Sequence, residues 1–91
     1  MTKSDLIKKI SNQVSTSPKD VENIINLAFK NIMEGLIEGD KVTISGFGSF
    51  EVRIRKERKG RNPRTGSDLM LPIKKTPAFV SGKPLKDALN Q

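Results

Sequence analysis

A chain of 91 residues with neither cysteine nor histidine excludes disulfide staples and the usual metal-site constellations, two common supports of so small a domain. Seventeen Lys and Arg against ten Asp and Glu give a net charge of +7; nine of those cations and only two of the anions lie between Arg53 and Lys75, so that segment carries the whole excess. A neutral body bearing one cationic segment points to a polyanionic partner, because a merely solubilising surface would scatter its charge.

Oligomerisation remains as the support for the small core. The opening "MTKSDLIKKISNQ" has no apolar h-region, and the apolar stretch from Val21 to Ile37 is interrupted by Glu22, Asn23, Asn26, Lys30, Asn31 and Glu34, so a soluble, cytoplasmic protein with no membrane partner is expected. The first helix is expected to start near Thr2, three residues before Asp5 in an approximate capping box, with Leu6, Ile7, Ile10 and Val14 at helical spacing. A second helix has a sharper start, with Ser17 as N-cap, Pro18 at the first helical position and Asp20 at the third, and Gly39 as its stop. Its apolar residues, including Phe29, Ile32 and Leu36, cover more than the ~100° stripe that one packing surface needs. A second buried face suggests a partner subunit.

From Lys41 the period changes. Val42 and Ile44, then Phe50, Val52 and Ile54, alternate with polar residues, which fits two strands joined at Gly46 to Gly48. "DLMLPIKK" and "TPAFVSG" read as a returning strand broken at Pro72 and Pro77, which a sheet tolerates at edges or bulges. A last helix is expected to begin at Ser81 or Gly82 and to turn Leu85, Ala88 and Leu89 inward. The fold class is therefore α+β, in the order α, α, β, β, β, α.

Residues 56 to 68 hold few apolar side chains yet are flanked by strand-like segments, so they read as a hairpin arm, with Gly60 and Gly66 bracketing the turn and Asn62 before Pro63 favouring it. An isolated two-stranded ribbon is marginal in water, so the arm is expected to be mobile until it meets its ligand. At about 3.3 Å per residue, the run from Val52 to Arg61 reaches roughly 30 Å. Arg53, Arg55, Arg58, Lys59, Arg61 and Arg64 along it suit phosphates, and Arg also suits a narrow minor groove. Pro63 either shapes the turn or acts as a rigid apolar wedge between base steps.

"GFGSFEVRIRKERKGRNPRTG" from Gly46 to Gly66, "PAFVSGKPLKDALN" from Pro77 to Asn90, and Lys3 near the start, all at matching spacing, make the chain resemble the bacterial HU and integration host factor family of DNA-bending proteins over nearly its whole length. The resemblance implies an intertwined dimer, with a helical base, a saddle-shaped three-stranded antiparallel sheet, two β-hairpin arms embracing the minor groove and a short C-terminal helix. It implies one domain over residues 1–91, with a helical dimerisation part at 1–40, sheet at 41–82, arm at about 53–75 and final helix at 83–91. Pro63 falls on the family's intercalating proline, and Arg61, Asn62, Arg64 and Thr65 on the tip motif around it. Arg53, Arg55, Lys56, Arg58, Lys59, Lys74 and Lys75 fall on arm and saddle. Lys3, Gly46, Gly48, Ser81, Gly82, Lys83 and Lys86 match flanking phosphate contacts, a role that helix-start electrostatics supports for backbone amides. Phe29, Ile32, Leu36, Ile44, Phe47, Phe50 and Phe79 match the core of the dimer. Arg64, and Ser67 with Asp68 after the tip, depart from the commoner family pattern.

The function implied is that of a non-enzymatic architectural protein that bends and compacts double-stranded DNA, acts as an HU-like homodimer in the nucleoid, and uses no cofactor or small-molecule substrate. An integration-host-factor-like subunit, which works with a different partner at defined sites, is the alternative. "SGFGSFEV" superficially resembles an RNA-binding motif, but the spacing fails and an RRM begins with a strand. Glu34, Glu38 and Asp40 form the one acidic cluster, at a helix end where a solvated surface explains them. "GKP" and "GFG" lack the rest of a phosphate or dinucleotide fingerprint.

Overall fold

The computed structural model describes residues 1–56 and 58–91, with Arg58 and Leu71 described by their backbone. The chain forms two compact units, Met1–Glu34 and Gly35–Gln91. The first holds α1 (Lys3–Val14) and most of α2 (Pro18–Ile37). α1 starts in a complete capping box: the Thr2 hydroxyl accepts from the Asp5 amide at 3.2 Å, and the Asp5 carboxylate accepts from the Thr2 amide at 2.9 Å. It stops at Ser15, whose left-handed backbone (φ 53°) lets its amide return to the Ser11 carbonyl, while the Ser11 hydroxyl donates to the Thr16 carbonyl. Ser11 is thus buried with its polar groups satisfied.

α2 begins where the Ser17 hydroxyl accepts from the Asp20 amide at 3.3 Å, with Pro18 at the first position. It ends in a Schellman motif: the Gly39 amide donates to the Leu36 carbonyl at 3.1 Å and the Asp40 amide to the Gly35 carbonyl at 2.9 Å. Ile7 and Val21 are the buried apolar side chains among the described residues. Ile24, Leu27, Phe29, Met33 and Ile37 stay exposed along α2, and Ile25, Ile32 and Leu36 are half-buried. The broad apolar surface expected of this helix is present, and this chain leaves it uncovered.

In the second unit, β1 (Val42–Ile44), β2 (Gly48–Arg55), β3 (Arg58–Arg61), β4 (Asp68–Leu71) and β5 (Lys74–Ser81) are followed by α3 (Lys83–Leu89). An antiparallel sheet runs in the order β1, β2, β5, and β3 with β4 forms a separate two-stranded hairpin, so the α+β class with a β-arm holds. Pro72 falls between β4 and β5, and Pro77 lies on the edge strand β5, where a missing N–H is tolerated. Two expectations are corrected. Gly60 does not flank a turn but pairs with Leu69 inside β3. In α3 only Leu85 is half-buried, while Ala88 and Leu89 are exposed, since a helix of seven residues makes about two turns and presents little surface to any core.

Candidate nucleic-acid interface

Strand alternation sorts the cations of the sheet. Arg53 pairs with Thr76 and Arg55 with Lys74, so these four share one face with Glu51 and Ala78. Phe50, Val52, Ile54, Lys75, Pro77 and Phe79 take the opposite face. There Phe79 packs against Phe47 and Phe50 with ring centroids at 5.4 and 5.1 Å and planes tilted by 51° and 55°. The rings therefore pack on one another in the tilted arrangement that aromatic pairs favour. Arg53 meets Glu51 at 3.6 Å, the one ion pair among the described residues, on an exposed surface where such a pair contributes little. Lys56 is exposed just beyond β2.

The separate β3–β4 hairpin carries further cations. Lys59, Arg61, Asp68 and Met70 occupy one face of the β3–β4 ribbon, with Gly60 and Leu69 on the other. Arg58 pairs through its backbone with Leu71. Beyond the last pair, Arg61 with Asp68, the chain turns through residues 62–67. Three backbone groups of the tip return to Asn62. Its amide donates to the Ser67 carbonyl at 2.8 Å, its carbonyl accepts from the Gly66 amide at 2.7 Å, and its side-chain Oδ1 accepts from the Arg64 amide at 2.9 Å. The Thr65 hydroxyl accepts from the Ser67 amide at 3.3 Å. Pro63, spanned by the Asn62 side chain, stands exposed in this turn together with Arg64 and Thr65.

Four of the flank residues come together. Gly48 pairs with Ser81, and the Gly82 amide donates to the Phe47 carbonyl at 2.8 Å, next to Gly46 in the β1–β2 turn. Gly48 is buried, and a Cβ there would stand 2.6 Å from both the Phe79 Cζ and the Val80 carbonyl oxygen. Close packing thus explains this glycine independently of any ligand. Lys83 and Lys86 are exposed on α3. Lys3 lies in the other unit, where its ammonium donates to Asn26 Oδ1. Phe29 and Ile32 belong to that unit as well; Leu36, Ile44, Phe47, Phe50 and Phe79 belong to the second, with Ile44, Phe47 and Phe79 exposed.

Sequence reasoning passed over Asn26 as the partner of Lys3; an isolated polar residue within a helix gives no signal for it. It also passed over the apolar side chains of the arm. Met70 is 58% exposed on the face it shares with Lys59 and Arg61, and Ile73 is 62% exposed beyond it. The signal was present as three successive apolar residues, Leu69 to Leu71, directly after a polar tip. No helix is long and apolar enough to cross a membrane among the described residues.

Against known proteins, the family described as "Bacterial DNA-binding protein" matches residues 1–90. DNA-binding protein HU-1 of Halalkalibacterium halodurans is 50% identical over 90 residues, which is 99% of this chain and all of that protein. DNA-binding protein HU of Staphylococcus aureus is 45% identical over 89 residues, 98% of this chain and 99% of that one. Among solved structures, the Anabaena HU–DNA cocrystal structure superposes with a TM-score of 0.83 at 38% identity, covering 98% of this chain and 97% of the other.

Proposed function

The chain belongs to the bacterial DNA-binding protein family of HU, and on that footing we propose that it is a non-enzymatic architectural protein, which binds and bends double-stranded DNA with low sequence specificity as a homodimer. The observation that carries the proposal is the arm: a two-stranded ribbon with Lys59 and Arg61 on one face, ending in a hydrogen-bonded tip from which Pro63 stands exposed. The similarity to an HU solved with DNA supports the same reading. In it the whole of residues 1–91 acts as one functional unit in the nucleoid of the cytoplasm.

Arg53, Arg55 and Lys74 on one face of the sheet, with Lys56, Arg58, Lys59, Arg61, Arg64 and Lys75, neutralise backbone phosphates, so most of the affinity comes from counterion release. Flanking phosphates fall to Lys3, Lys83 and Lys86 and to the backbone at Gly46, Gly48, Ser81 and Gly82. The arms follow the minor groove, and Pro63, rigid and without an N–H to satisfy, enters between base steps and kinks the duplex. Dimerisation covers the apolar side of α2. Burying a side chain such as Phe29, Met33 or Ile37 stabilises by about 1.5–3 kcal/mol.

End-to-end FRET on intact and nicked duplexes, with this purified chain alone over a range of salt, tests the proposal. The single chain should suffice, with log K falling by about 0.9 per log unit of salt for each phosphate neutralised. Pro63→Ala should keep that salt slope and lose much of the bend. A flat salt response rejects phosphate-driven binding, unchanged FRET for Pro63→Ala rejects the wedge, and a need for a second, different chain turns the reading to a heterodimer of the integration host factor kind.

A further inference from the structure

Pro63 can act as a wedge only if it meets the base step in a fixed orientation, and among the described residues nothing packs against the tip to fix it. Pro63 and Arg64 to Ser67 are all exposed, and the turn is reached through four-residue strands. Orientation must come from within the turn. The proline ring locks its own φ and biases Asn62 toward extended backbone, but leaves the ψ of Pro63, and so the direction of the chain after it, free. The 2.9 Å hydrogen bond from the Arg64 amide to Asn62 Oδ1 closes that freedom, since it bridges Pro63 from the residue before to the residue after it. This is an Asx turn, in which a side-chain acceptor mimics a backbone carbonyl. The backbone of Asn62 is anchored on both sides, by the Ser67 carbonyl at 2.8 Å and the Gly66 amide at 2.7 Å. Because of these two bonds, the side chain closes onto a base that is itself held.

We propose that Asn62 is the positioning residue of the wedge: its Oδ1, holding the Arg64 amide, presets the direction in which Pro63 is presented to DNA. The inference rests on Pro63 entering the base stack. It assigns Asn62 a role before DNA arrives, separate from any contact its amide makes with DNA. Preorganising a group in its bound geometry removes an ordering cost at the moment of binding. An arm without the Asn62 bond would still reach the phosphates and would present the proline in several directions.

Three substitutions of Asn62 separate this role from its rivals. Asn62→Ala removes the acceptor, whereas Asn62→Ser and Asn62→Asp keep a side-chain oxygen able to take the Arg64 amide, the second with an added negative charge. In the free protein, the Arg64 amide of Asn62→Ala should exchange about five-fold faster, as expected for loss of one hydrogen bond near 1 kcal/mol. On saturated duplex, Asn62→Ala should keep the wild-type salt slope and lose most of the FRET change. Asn62→Ser should restore the bend, and Asn62→Asp should restore it at higher protein concentration, because its charge repels phosphate. A wild-type bend with Asn62→Ala, or failure of both acceptor variants to restore it, overturns the positioning role. Pro63→Ala, measured alongside, distinguishes the two failures. If it too leaves the bend unchanged, the wedge itself is wrong; if it abolishes the bend while Asn62→Ala does not, only the role of Asn62 falls.

Discussion

Replacing Gly48 by alanine places a methyl group where β2 and β5 leave no room. The added Cβ would stand 2.6 Å from the Val80 carbonyl oxygen, 2.6 Å from Phe79 Cζ and 2.8 Å from Phe79 Cε1. Ordinary contact begins at 3.4 Å, so the neighbours must retreat by about 0.8 Å. The Phe79 ring can tilt, but only by disturbing its packing on Phe47 and Phe50. The carbonyl cannot move alone, because Val80 is paired with Ser49 in the same ladder. Overpacking of this kind costs about 1–3 kcal/mol, and a backbone obstacle argues for the upper end. Gly46→Ala is the control: Gly46 has φ +82° with nothing within 4 Å of a Cβ, so its substitution costs backbone strain alone, about 1–2 kcal/mol. Chemical denaturation of both variants at one fixed protein concentration, as a dimer requires, should place Gly48→Ala below Gly46→Ala in stability. Equal midpoints, or a less stable Gly46→Ala, would refute the packing argument.

Two further outcomes are expected. Phe29→Asp puts a carboxylate on the exposed apolar side of α2 and should weaken self-association at least ~100-fold, read by sedimentation at equilibrium; an unchanged dimer would remove Phe29 from the interface. Arg55→Thr removes one of two cations placed directly opposite each other in β2 and β5, so the free protein should gain roughly 0.2–1 kcal/mol in thermal unfolding while the salt slope of DNA binding falls by about 0.9.

Features with local causes were legible in the sequence. Thr2 with Asp5, and Ser17 with Pro18 and Asp20, each specify a helix start through groups within four residues, and both starts form as expected. The alternation of Phe50, Val52 and Ile54 specifies β2 in the same way, because the side-chain period of a strand needs no distant partner. Gly60 misled, since a glycine near a tip signals a turn by propensity, while the register that places it opposite Leu69 depends on how far the ladder runs. The Asx turn at Asn62 was legible only by half. Asn before Pro marks a turn, but which amide the side chain takes depends on a rotamer that the sequence does not state. The wedge proposed for Pro63 was not legible from composition, because a turn proline and an intercalating proline are the same residue; only the family resemblance implied the second role.

The same register leaves like charges together on one face of the sheet. Arg55 lies directly across from Lys74, with Arg53 two residues away on the same face, an arrangement that destabilises a sheet. Glu51 offsets part of it for Arg53, at 3.6 Å, but no carboxylate among the described residues does so for Arg55 or Lys74. Selection for stability alone would place an acidic residue at one of these positions, at no cost in strand geometry. Among the described residues this local rule is broken without a compensating contact, which supports the proposed reading of a site whose compensation comes from outside. Under the proposed function a duplex backbone supplies that negative charge, spread along an extended surface and facing several cations at once.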